Sequence, residues 1–361
     1  MKILIACTQY PYHGGAATNS YALMKGLRKR KHRVCGLFFE DSSANCDPDN
    51  IGKIIKSSSK IGSYNQLRKK IIRILGGSPD IILAKNYVAP IYCRKLFPNS
   101  KIIYLVSGAP IMMPLSKDNI SAIRYLSIDD SKIRKKYSEK LLSSEKGAIR
   151  ACDAVILNSG ISRKVFLKTN AKSLQNRKVF KPLNTSIVIN RRGGGTKAKD
   201  FNKREVDIAF ICSNFSRTVK NANFAKKLFL NKRLAGKTKL VVGQNSKMFA
   251  NVPNIITKGK VGNNTIFSYL NKTRLVICTS YFDASPNIIN EARASGCNIL
   301  MSRNCGWYRD YGSESVCKDV YGLNEWINKI LLSCKEEIEY PIIQSDKGVL
   351  IVLEGMIKEL L

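Results

Sequence analysis

Residues 275–302, LVICTSYFDASPNIINEARASGCNILMS, contain the side chains most suited to chemistry in this sequence. An apolar run is followed by a short loop and then by a helical pattern that includes Glu291. Glu291 falls about one and a half turns into that helix, where its carboxylate can accept hydrogen bonds from a sugar diol. The backbone amides from Ser285 through Asn287 to Ile288 would meet phosphate oxygens. Apolar neighbours indicate a buried helix, which favours a functional Glu291 over a solvated one.

The loop at residues 212–221, CSNFSRTVKN, places Arg217 and Lys220 between a predicted strand and a predicted helix. Cations are unfavourable at the start of a helix, because the helix dipole is positive there. They are explained if a diphosphate lies between them and neutralises their charge. A solvated loop in a basic protein is an equally good interpretation of this motif alone.

A third motif is the turn that contains His13, Gly14 and Gly15, between the first predicted strand and the first predicted helix. Glycines let the backbone approach a bound group, and the N-terminus of the following helix attracts anions. The turn is not GxGxxG, so the dinucleotide-binding fingerprint is absent. An ordinary tight turn is the alternative interpretation of the two glycines.

The elements that must position these residues alternate between short apolar runs and amphipathic helices. This alternation predicts parallel βαβ units with right-handed crossovers, in the α/β class. Strands are predicted at 2–8, 34–39, 81–84, 102–106, 154–158, 206–212, 240–242, 255–256, 275–279 and 298–302. Helices are predicted at 19–31, 66–75, 133–150, 222–230, 266–270, 286–294 and 349–361.

The segment RRGGGTKAKDFNKRE, residues 191–205, interrupts the alternation and is typical of a linker. It separates an N-terminal Rossmann-like domain, residues 1–190, from a second one at residues 206–345. Residues 346–361 form a C-terminal helix in this prediction. Two such domains facing each other leave a cleft at the carboxyl ends of their strands, where ligands bind.

The charge of the chain is strongly positive and uneven. It has 361 residues, 61 of them Lys or Arg and 26 Asp or Glu, for a net charge of +35. Residues 1–200 carry 38 basic and 12 acidic residues, and hence +26 of that charge. This predicts an anionic partner, such as nucleic acid, a membrane surface or a phosphorylated ligand. Compositional drift toward Lys, Asn and Ile is the alternative cause.

Cysteine and histidine usage argues against a structural zinc site. The eleven cysteines include no CxxC pair, and there are only two histidines. Scattered cysteines in apolar strands are typical of buried thiols in a reducing compartment. The apolar run at the N-terminus is too short for a signal peptide, and no stretch approaches the ~20 apolar residues of a membrane span. We therefore expect a cytoplasmic protein, or one peripheral to a membrane.

Over nearly its whole length the sequence resembles the retaining GT-B glycosyltransferases, specifically glycosyltransferase family 4. The N-terminal part matches the family's pattern of strand, GG turn and helix, followed by Arg30-Lys31-His32-Arg33-Val34 at the position of its "rGHxV" motif. The C-terminal part is similar to the family's E-x7-E region. Its second glutamate matches Glu291, which precedes ARASGCNI, and its first is replaced by Asp283 at the same spacing.

The resemblance implies a role for each matching residue. Glu291 would bind the ribose of a nucleotide sugar, and Asp283 would contact the transferred sugar. Lys220 matches the family's diphosphate-binding lysine, while Arg217 lies closer to the lysine than the family's arginine does. Gly15 would approach the donor phosphate or the acceptor.

One departure from the family concerns the strand at residues 102–106. Many members carry a histidine after this strand, near the donor sugar, whereas here Ser107-Gly108 follows it. Ser107 or a backbone carbonyl would take over that role. His32 occupies the family's common "GH" position and is expected to be structural, whereas His13 lies in the glycine turn.

The predicted activity is transfer of a sugar, with retention, from a UDP- or GDP-sugar to a glycan, lipid-linked or protein-linked acceptor. No metal or other cofactor is expected, because the cations would stabilise the leaving diphosphate and no DxD motif is visible. Expected partners are the nucleotide sugar, the acceptor and an anionic membrane surface against the N-terminal domain. Nucleic acid is disfavoured for want of a binding motif. The alternatives are a glycan-binding pseudoenzyme and a basic nucleic-acid-binding protein.

Overall fold

A computed structural model describes residues 1–7, 15–38, 54–56, 64–106, 143–185, 200–340 and 346–361. These residues divide into two compact units. Unit 1 contains residues 1–106, 143–185 and 346–361 within the described ranges, and unit 2 contains residues 200–340.

Unit 1 is built on a seven-stranded sheet in the order β3-β2-β1-β4-β5-β6-β7. Its described strand pairings are all parallel. The strands are almost wholly apolar, as expected of a parallel sheet covered on both faces. They are β1 Lys2–Cys7, β2 Arg33–Phe38, β3 Ile54–Lys56, β4 Ile81–Lys85, β5 Lys101–Val106, β6 Ala154–Leu157 and β7 Lys178–Val179.

Helices cover both faces of this sheet. The first, α1 (Gly15–Lys29), buries Leu23 and Leu27 against Ile3 and Ile5 of β1. The fifth helix, α5 (Gly160–Asn170), begins with a capping box, in which Ser159 and Ser162 exchange hydrogen bonds between side chain and backbone. The other helices are α2 Tyr64–Leu75, α3 Val88–Leu96 and α4 at 143–151.

Unit 2 repeats the design with a six-stranded parallel sheet in the order β10-β9-β8-β11-β12-β13. Its two faces bury separate apolar clusters, one around Trp326 and one around Ile299. The strands are β8 Val206–Asn214, β9 Lys239–Gln244, β10 Ile255–Lys258, β11 Thr273–Cys278, β12 Asn298–Ser302 and β13 Val316–Cys317. The helices are α6 Ala222–Phe229, α7 Asn263–Leu270, α8 Asn287–Ala294 and α9 Leu323–Ser333.

The C-terminal helix α10 (Asp346–Leu360) belongs to unit 1, although it follows unit 2 in the chain. It buries Leu353 and Ile357 in the cluster that α1 forms with the sheet. Glu354 accepts hydrogen bonds from Arg30 Nη2 at 2.7 Å and pairs with His32 Nε2 at 2.9 Å. His32 therefore has the structural place expected for it.

The predicted βαβ alternation and α/β class are confirmed, with shifts of a few residues at most element ends. Sequence analysis did not predict α3, α5 and α9, nor the short strands β3, β7 and β13. The predicted helix at 133–150 is described only from residue 143. The end of the predicted linker, residues 200–205, packs into unit 2, where Arg204 is buried and donates to Thr273 O at 2.7 Å.

Among the described residues, no helix has the length and apolar character needed to span a bilayer.

Candidate functional site

The predicted site residues of unit 2 lie on the two loops that flank a reversal of strand order. Chain order runs outward from β8 through β9 to β10 on one side and from β11 through β12 to β13 on the other. In open α/β sheets, ligands bind at the carboxyl ends of the strands at such a switch point. The loop after β8 carries Arg217 and Lys220, and the loop after β11 carries Asp283 and leads into α8.

Backbone hydrogen bonds tie the two loops together. Residues Thr218–Lys220 form a single 3-10 turn before α6. The hydroxyl of Thr279 donates to the carbonyl of Lys220 at 3.0 Å, and the amide of Tyr281 donates to the carbonyl of Val219 at 2.9 Å. The position of Lys220 is therefore fixed by the loop after β11 as well as by its own loop.

Lys220 and Asp283 form an ion pair, with 2.6 Å between Nζ and Oδ2. Both side chains are largely buried, at 17% and 19% exposed. Burial disfavours the ammonium, but the charge of Asp283 and its hydrogen bond outweigh burial and raise the pKa of Lys220 above its ordinary value. Sequence analysis placed Lys220 on a diphosphate and Asp283 at a sugar, and it did not anticipate that the two pair with each other.

Asp283 is held in a defined orientation by the backbone around it. Its carbonyl accepts from the amide of Gly306 at 2.7 Å, and its amide donates to the carbonyl of Asn304 at 3.3 Å. Its second carboxylate oxygen, Oδ1, accepts from the amide of Ser285 at 3.2 Å. One oxygen of Asp283 thus binds the lysine and the other binds the loop that opens α8.

A pair of buried thiols lies beside Lys220. The sulfur atoms of Cys278 and Cys305 are 3.6 Å apart. The hydrogen bond with Cys305, aided by the positive charge of Lys220, overcomes burial and lowers the pKa of Cys278 below its ordinary value. Sequence analysis treated these cysteines only as buried thiols, because the fold alone brings residues 278 and 305 together.

Arg217 lies in the same loop as Lys220, three residues earlier. Its carbonyl accepts from the amide of Lys220 at 2.9 Å, and its side chain is exposed. The positive charge of Arg217 acts against the ammonium of Lys220. Two cations therefore lie close enough to repel each other, an arrangement that an anion between them would relieve.

The start of α8 offers backbone amides at the carboxyl end of the sheet. Pro286 stands at the N-cap and supplies no side-chain cap, and the first turn has no acidic residue. The first four N–H groups of a helix have no acceptor within it. Asn287 and Ile288 are half-buried in this turn, and Ser285 precedes it. These are the amides predicted from the sequence to bind phosphate oxygens, but the amide of Ser285 already donates to Asp283 Oδ1. Gly296 ends the helix with φ +66°, as expected.

Glu291 lies one turn further along α8, and it is half-buried. Among the described residues, no hydrogen bond or ion pair involves its carboxylate. Burial alone raises the pKa of Glu291 to about 7. A carboxylate that is desolvated and has no partner is suited to accept hydrogen bonds from a ligand.

Similarity to known proteins was found in the comparison of structures and not in the comparisons of sequence. No family model matches the sequence, and no curated protein matches it significantly. The structure is similar to a sucrose-phosphate synthase from Thermosynechococcus elongatus, with a TM-score of 0.65 over 99% of this chain and 94% of that one, at 12% identity. It is also similar to HepE from Anabaena, solved with UDP, with a TM-score of 0.60 over 99% and 95% of the two chains, at 14% identity.

A third similar structure is an alpha-glucosyltransferase solved with UDP and a 13-mer DNA. The TM-score is 0.59 over 98% of each chain, at 14% identity. The chain has the GT-B fold. The expectation that the sequence resemblance raised about the fold is therefore confirmed.

Of the remaining predicted residues, Gly15 is described, and it is the first residue of α1 in unit 1. Gly14, His13 and Ser107 lie outside the described residues. Within the described ranges, no group of three His, Cys, Asp or Glu side chains is placed to hold a metal ion.

Asn221 is a candidate residue of the GT-B chain that sequence analysis missed. It follows Lys220 with φ +54°, a left-handed conformation that asparagine tolerates better than most residues. Its side chain is 3% exposed, and neither its oxygen nor its nitrogen has a hydrogen-bond partner. A buried amide without partners is costly, so Asn221 is suited to bind a ligand beside Lys220.

Proposed function

We propose that the chain is a retaining, metal-independent glycosyltransferase that uses a UDP- or GDP-sugar as donor and a glycan or a lipid- or protein-linked glycan as acceptor. The observation that carries this is the arrangement at the unit 2 switch point, where the Lys220–Asp283 pair, the start of α8 and the unpartnered Glu291 follow β8 and β11. The two similar structures solved with UDP support a uridine nucleotide as the first ligand to test.

In this proposal the cations of unit 2 stabilise the departing diphosphate. Lys220 is already charged, because Asp283 raises its pKa, and the hydrogen bonds of the two loops hold it in place. Such preorganised charge is usually the largest single contribution to catalysis. Arg217 adds a second cation, and the amides of Asn287 and Ile288 add hydrogen-bond donors for the phosphates. The amide of Ser285, which the sequence also suggested, already donates to Asp283 Oδ1.

Glu291 and Asp283 would bind the two sugars of the donor. The carboxylate of Glu291 accepts hydrogen bonds from the ribose hydroxyls, which supply the partners that it lacks. Asp283 contacts the transferred sugar while it holds Lys220. The acceptor hydroxyl attacks from the face that the diphosphate leaves, and a phosphate oxygen takes its proton.

The test is donor binding and turnover in Lys220→Ala and Glu291→Ala. We expect Lys220→Ala to lose roughly 10²-fold or more in turnover, the magnitude of one lost charge-stabilising group. Glu291→Ala should weaken donor binding by roughly 10-fold or more, because it removes hydrogen bonds between a charged group and the ribose. Matched controls are Lys227→Ala and Glu337→Ala, which remove exposed side chains of the same types from unit 2. A thermal-shift screen of UDP, GDP and their sugars identifies the base. Unchanged binding and turnover in both site variants would refute the assignment.

Turnover also separates the enzyme from a glycan-binding pseudoenzyme of the same fold. A pseudoenzyme would bind the nucleotide sugar or the glycan and release no nucleotide. Release of UDP or GDP that depends on an acceptor, and that Lys220→Ala abolishes, is the result expected of the proposed enzyme.

We also propose that unit 1 contacts an anionic membrane, with α2 as the described contact surface. This helix buries Leu67 and Ile71 and has no acidic residue. Its exposed cations are Arg68, Lys69, Lys70 and Arg73. A basic amphipathic helix is typical of interfacial binding. The densest basic stretches of the N-terminal domain in the sequence are residues 25–33 and 132–140. In the first, Arg30 and His32 are paired with Glu354, and the second lies outside the described residues.

Co-sedimentation with vesicles that contain anionic lipid tests this surface. We expect Lys69→Glu with Lys70→Glu to weaken binding more than the matched pair Lys232→Glu with Arg233→Glu, which are exposed in unit 2. Equal loss in both pairs would indicate net charge alone. A salt-dependent gel shift with DNA tests the alternative that the chain binds nucleic acid. One similar structure is a glucosyltransferase solved with DNA, so DNA binding and a transferase fold can occur together.

A further inference from the structure

Cys278 and Cys305 form a pair of thiols that the proposed mechanism does not use. Cys278 ends β11 and Cys305 follows β12, so the parallel pairing of these strands brings both thiols to the carboxyl end of the unit 2 sheet. Their sulfur atoms are 3.6 Å apart. A disulfide bond holds its sulfur atoms about 2 Å apart, so a closure of about 1.5 Å would join them.

Hydrogen bonds around the two thiols hold them against each other. The amide of Cys305 donates to the carbonyl of Ser302 at 3.0 Å, and the hydroxyl of Ser302 donates to the carbonyl of Ser280 at 2.6 Å. Cys278 Sγ lies 3.5 Å from the hydroxyl oxygen of Ser280, and Cys305 Sγ lies 3.7 Å from that of Ser302. The contact between the sulfur atoms is therefore fixed by the loops after β11 and β12.

The two thiols differ in exposure and in acidity, as an attacking and a resolving thiol do. Cys278 is 4% exposed and Cys305 is 0% exposed, so a small oxidant reaches Cys278 first. The hydrogen bond between them, aided by the charge of Lys220, lowers the pKa of Cys278, and the same hydrogen bond raises the pKa of Cys305. Cys212 is more exposed than either, but burial raises its pKa to about 11. Thiolate character therefore favours oxidation of Cys278, whereas exposure alone favours Cys212.

We propose that Cys278 and Cys305 are a redox modification site, which hydrogen peroxide converts to a disulfide. The thiolate of Cys278 attacks one peroxide oxygen, the O–O bond breaks, and the departing hydroxide takes up a proton and becomes water. The thiol of Cys305 then attacks the sulfur of the sulfenic acid, whose oxygen leaves as a second water with the thiol proton. Two thiols are oxidised and one peroxide is reduced, and a dithiol reverses the change by exchange. In a reducing compartment such disulfides are usually transient and redox-sensing.

The disulfide would act on the ion pair between Lys220 and Asp283. Cys305 forms an isolated β-bridge with Asp283, and the amide of Gly306 donates to the carbonyl of Asp283 at 2.7 Å. Drawing Cys305 toward β11 therefore shifts the backbone that orients Asp283. A misplacement of about 1 Å can cost about 10²-fold in rate, so we expect the disulfide to slow turnover. That effect rests on the proposed function, whereas formation of the disulfide does not.

Peptide mapping of the oxidised wild-type chain tests the proposal without any variant. The reduced full chain is treated with graded hydrogen peroxide, alkylated and digested with trypsin, which cleaves after Lys and Arg. Cys278 then lies on peptide 275–293 and Cys305 on peptide 304–309, while peptides 294–303 and 205–217 carry Cys297 and Cys212. We expect peptide 275–293 joined to 304–309 at a peroxide concentration roughly 10-fold or more below that which modifies Cys212. No disulfide, or one that joins other cysteines first, overturns the proposal.

Three alanine variants separate the two steps. Cys305→Ala removes the resolving thiol, so Cys278 should stop at the sulfenic acid and be labelled by dimedone. Cys278→Ala removes the attacking thiol, so Cys305 should stay unlabelled. The matched control is Cys317→Ala, which removes another buried thiol of unit 2 and should still form the disulfide between Cys278 and Cys305. Labelling of Cys305 in Cys278→Ala at the same peroxide concentration would contradict the assigned order.

Turnover of a nucleotide sugar distinguishes this inference from the proposed function. We expect the mapped disulfide to lower turnover roughly 10-fold or more and dithiothreitol to restore it, whereas peroxide should not change the turnover of Cys278→Ala from its own untreated value. A mapped disulfide with unchanged turnover would refute its control of the site. If the reduced chain turns over no nucleotide sugar, the proposed function fails, and the mapped disulfide still supports the modification site.

Discussion

The two units place the same dipeptide, Lys-Asn, at the switch points of their sheets. In unit 1, Lys85 ends β4 and Asn86 follows with φ +68°. In unit 2, Lys220 ends the turn after β8 and Asn221 follows with φ +54°. In each unit, a left-handed asparagine turns the chain directly after a buried lysine.

The two lysines differ in their partners, and their pKa values move in opposite directions. Lys220 pairs with Asp283 at 2.6 Å, and the pKa of Lys220 is raised. Lys85 has no partner, and burial lowers the pKa of Lys85 to about 8. Burial acts against the charge in both cases, so the carboxylate decides the outcome. Unit 2 therefore holds a buried cation whose charge is compensated, whereas unit 1 holds one whose charge is not compensated and destabilises the fold.

Asp283→Asn should have the largest effect on stability, because it leaves Lys220 buried without a partner, as Lys85 is. Removing one member of a buried ion pair costs about 3 kcal/mol of unfolding free energy. We expect urea unfolding to show that loss, and the pKa of Lys220 to fall toward that of Lys85. The matched control is Asp200→Asn, which removes an exposed carboxylate that forms an ion pair with the exposed Lys203. A stability loss no larger than that of Asp200→Asn would contradict the importance of the pair.

Lys85→Met should stabilise the fold, because it removes a buried cation that has no partner. The folded-state pKa of about 8 lies below the ordinary 10.5, so the unfolded chain binds the proton more tightly. Below pH 8 the lysine destabilises the fold by about 3 kcal/mol, and this cost is relieved as the pH rises toward 10.5. We therefore expect the variant to be about 2 kcal/mol more stable at pH 7, with some packing lost to methionine.

Urea unfolding of Lys85→Met at pH 7, 9 and 10.5 measures this gap. The difference in unfolding free energy between Lys85→Met and the wild type should become smaller as the pH rises. The control Lys101→Met, which removes an exposed lysine from the opposite end of the same sheet, should show no such difference at any pH. A gap that is constant across this range would mean that packing, and not charge, sets the stability of the variant.

Periodicity predicted the sheets better than it predicted the site. The strand Asn298–Ser302 was predicted with its observed bounds, because a parallel strand covered on both faces is a continuous apolar run. The same rule ended the β4 prediction at residue 84 and left Lys85 outside it, since a charged residue normally marks the surface. Helix α3 was not predicted, because a proline normally argues against a helix. Pro90 lies in the first turn of α3, where proline is tolerated.

The site was predicted as a set of residues and not as a set of contacts. Lys220, Asp283 and Glu291 were named from spacing and family resemblance, and the structure brings the loops of the first two together. Their ion pair joins positions 63 residues apart, and nothing local in the sequence encodes that distance. The lack of a partner at Glu291, Lys85 and Asn221 is likewise a property of the packed chain.

The smallest expected effect separates the two roles of Asn221, its left-handed backbone and its buried amide. Asn221→Gly keeps the backbone accessible and removes an amide without partners, so its unfolding free energy should stay within about 0.5 kcal/mol of the wild type. Asn221→Ala removes the same amide but adds about 1 kcal/mol of left-handed strain. Both variants should lose the same affinity for UDP if the amide binds the ligand, although only alanine lowers the stability. If glycine retains full affinity and alanine alone weakens it, the asparagine of unit 2 acts only as a turn residue that orients Lys220.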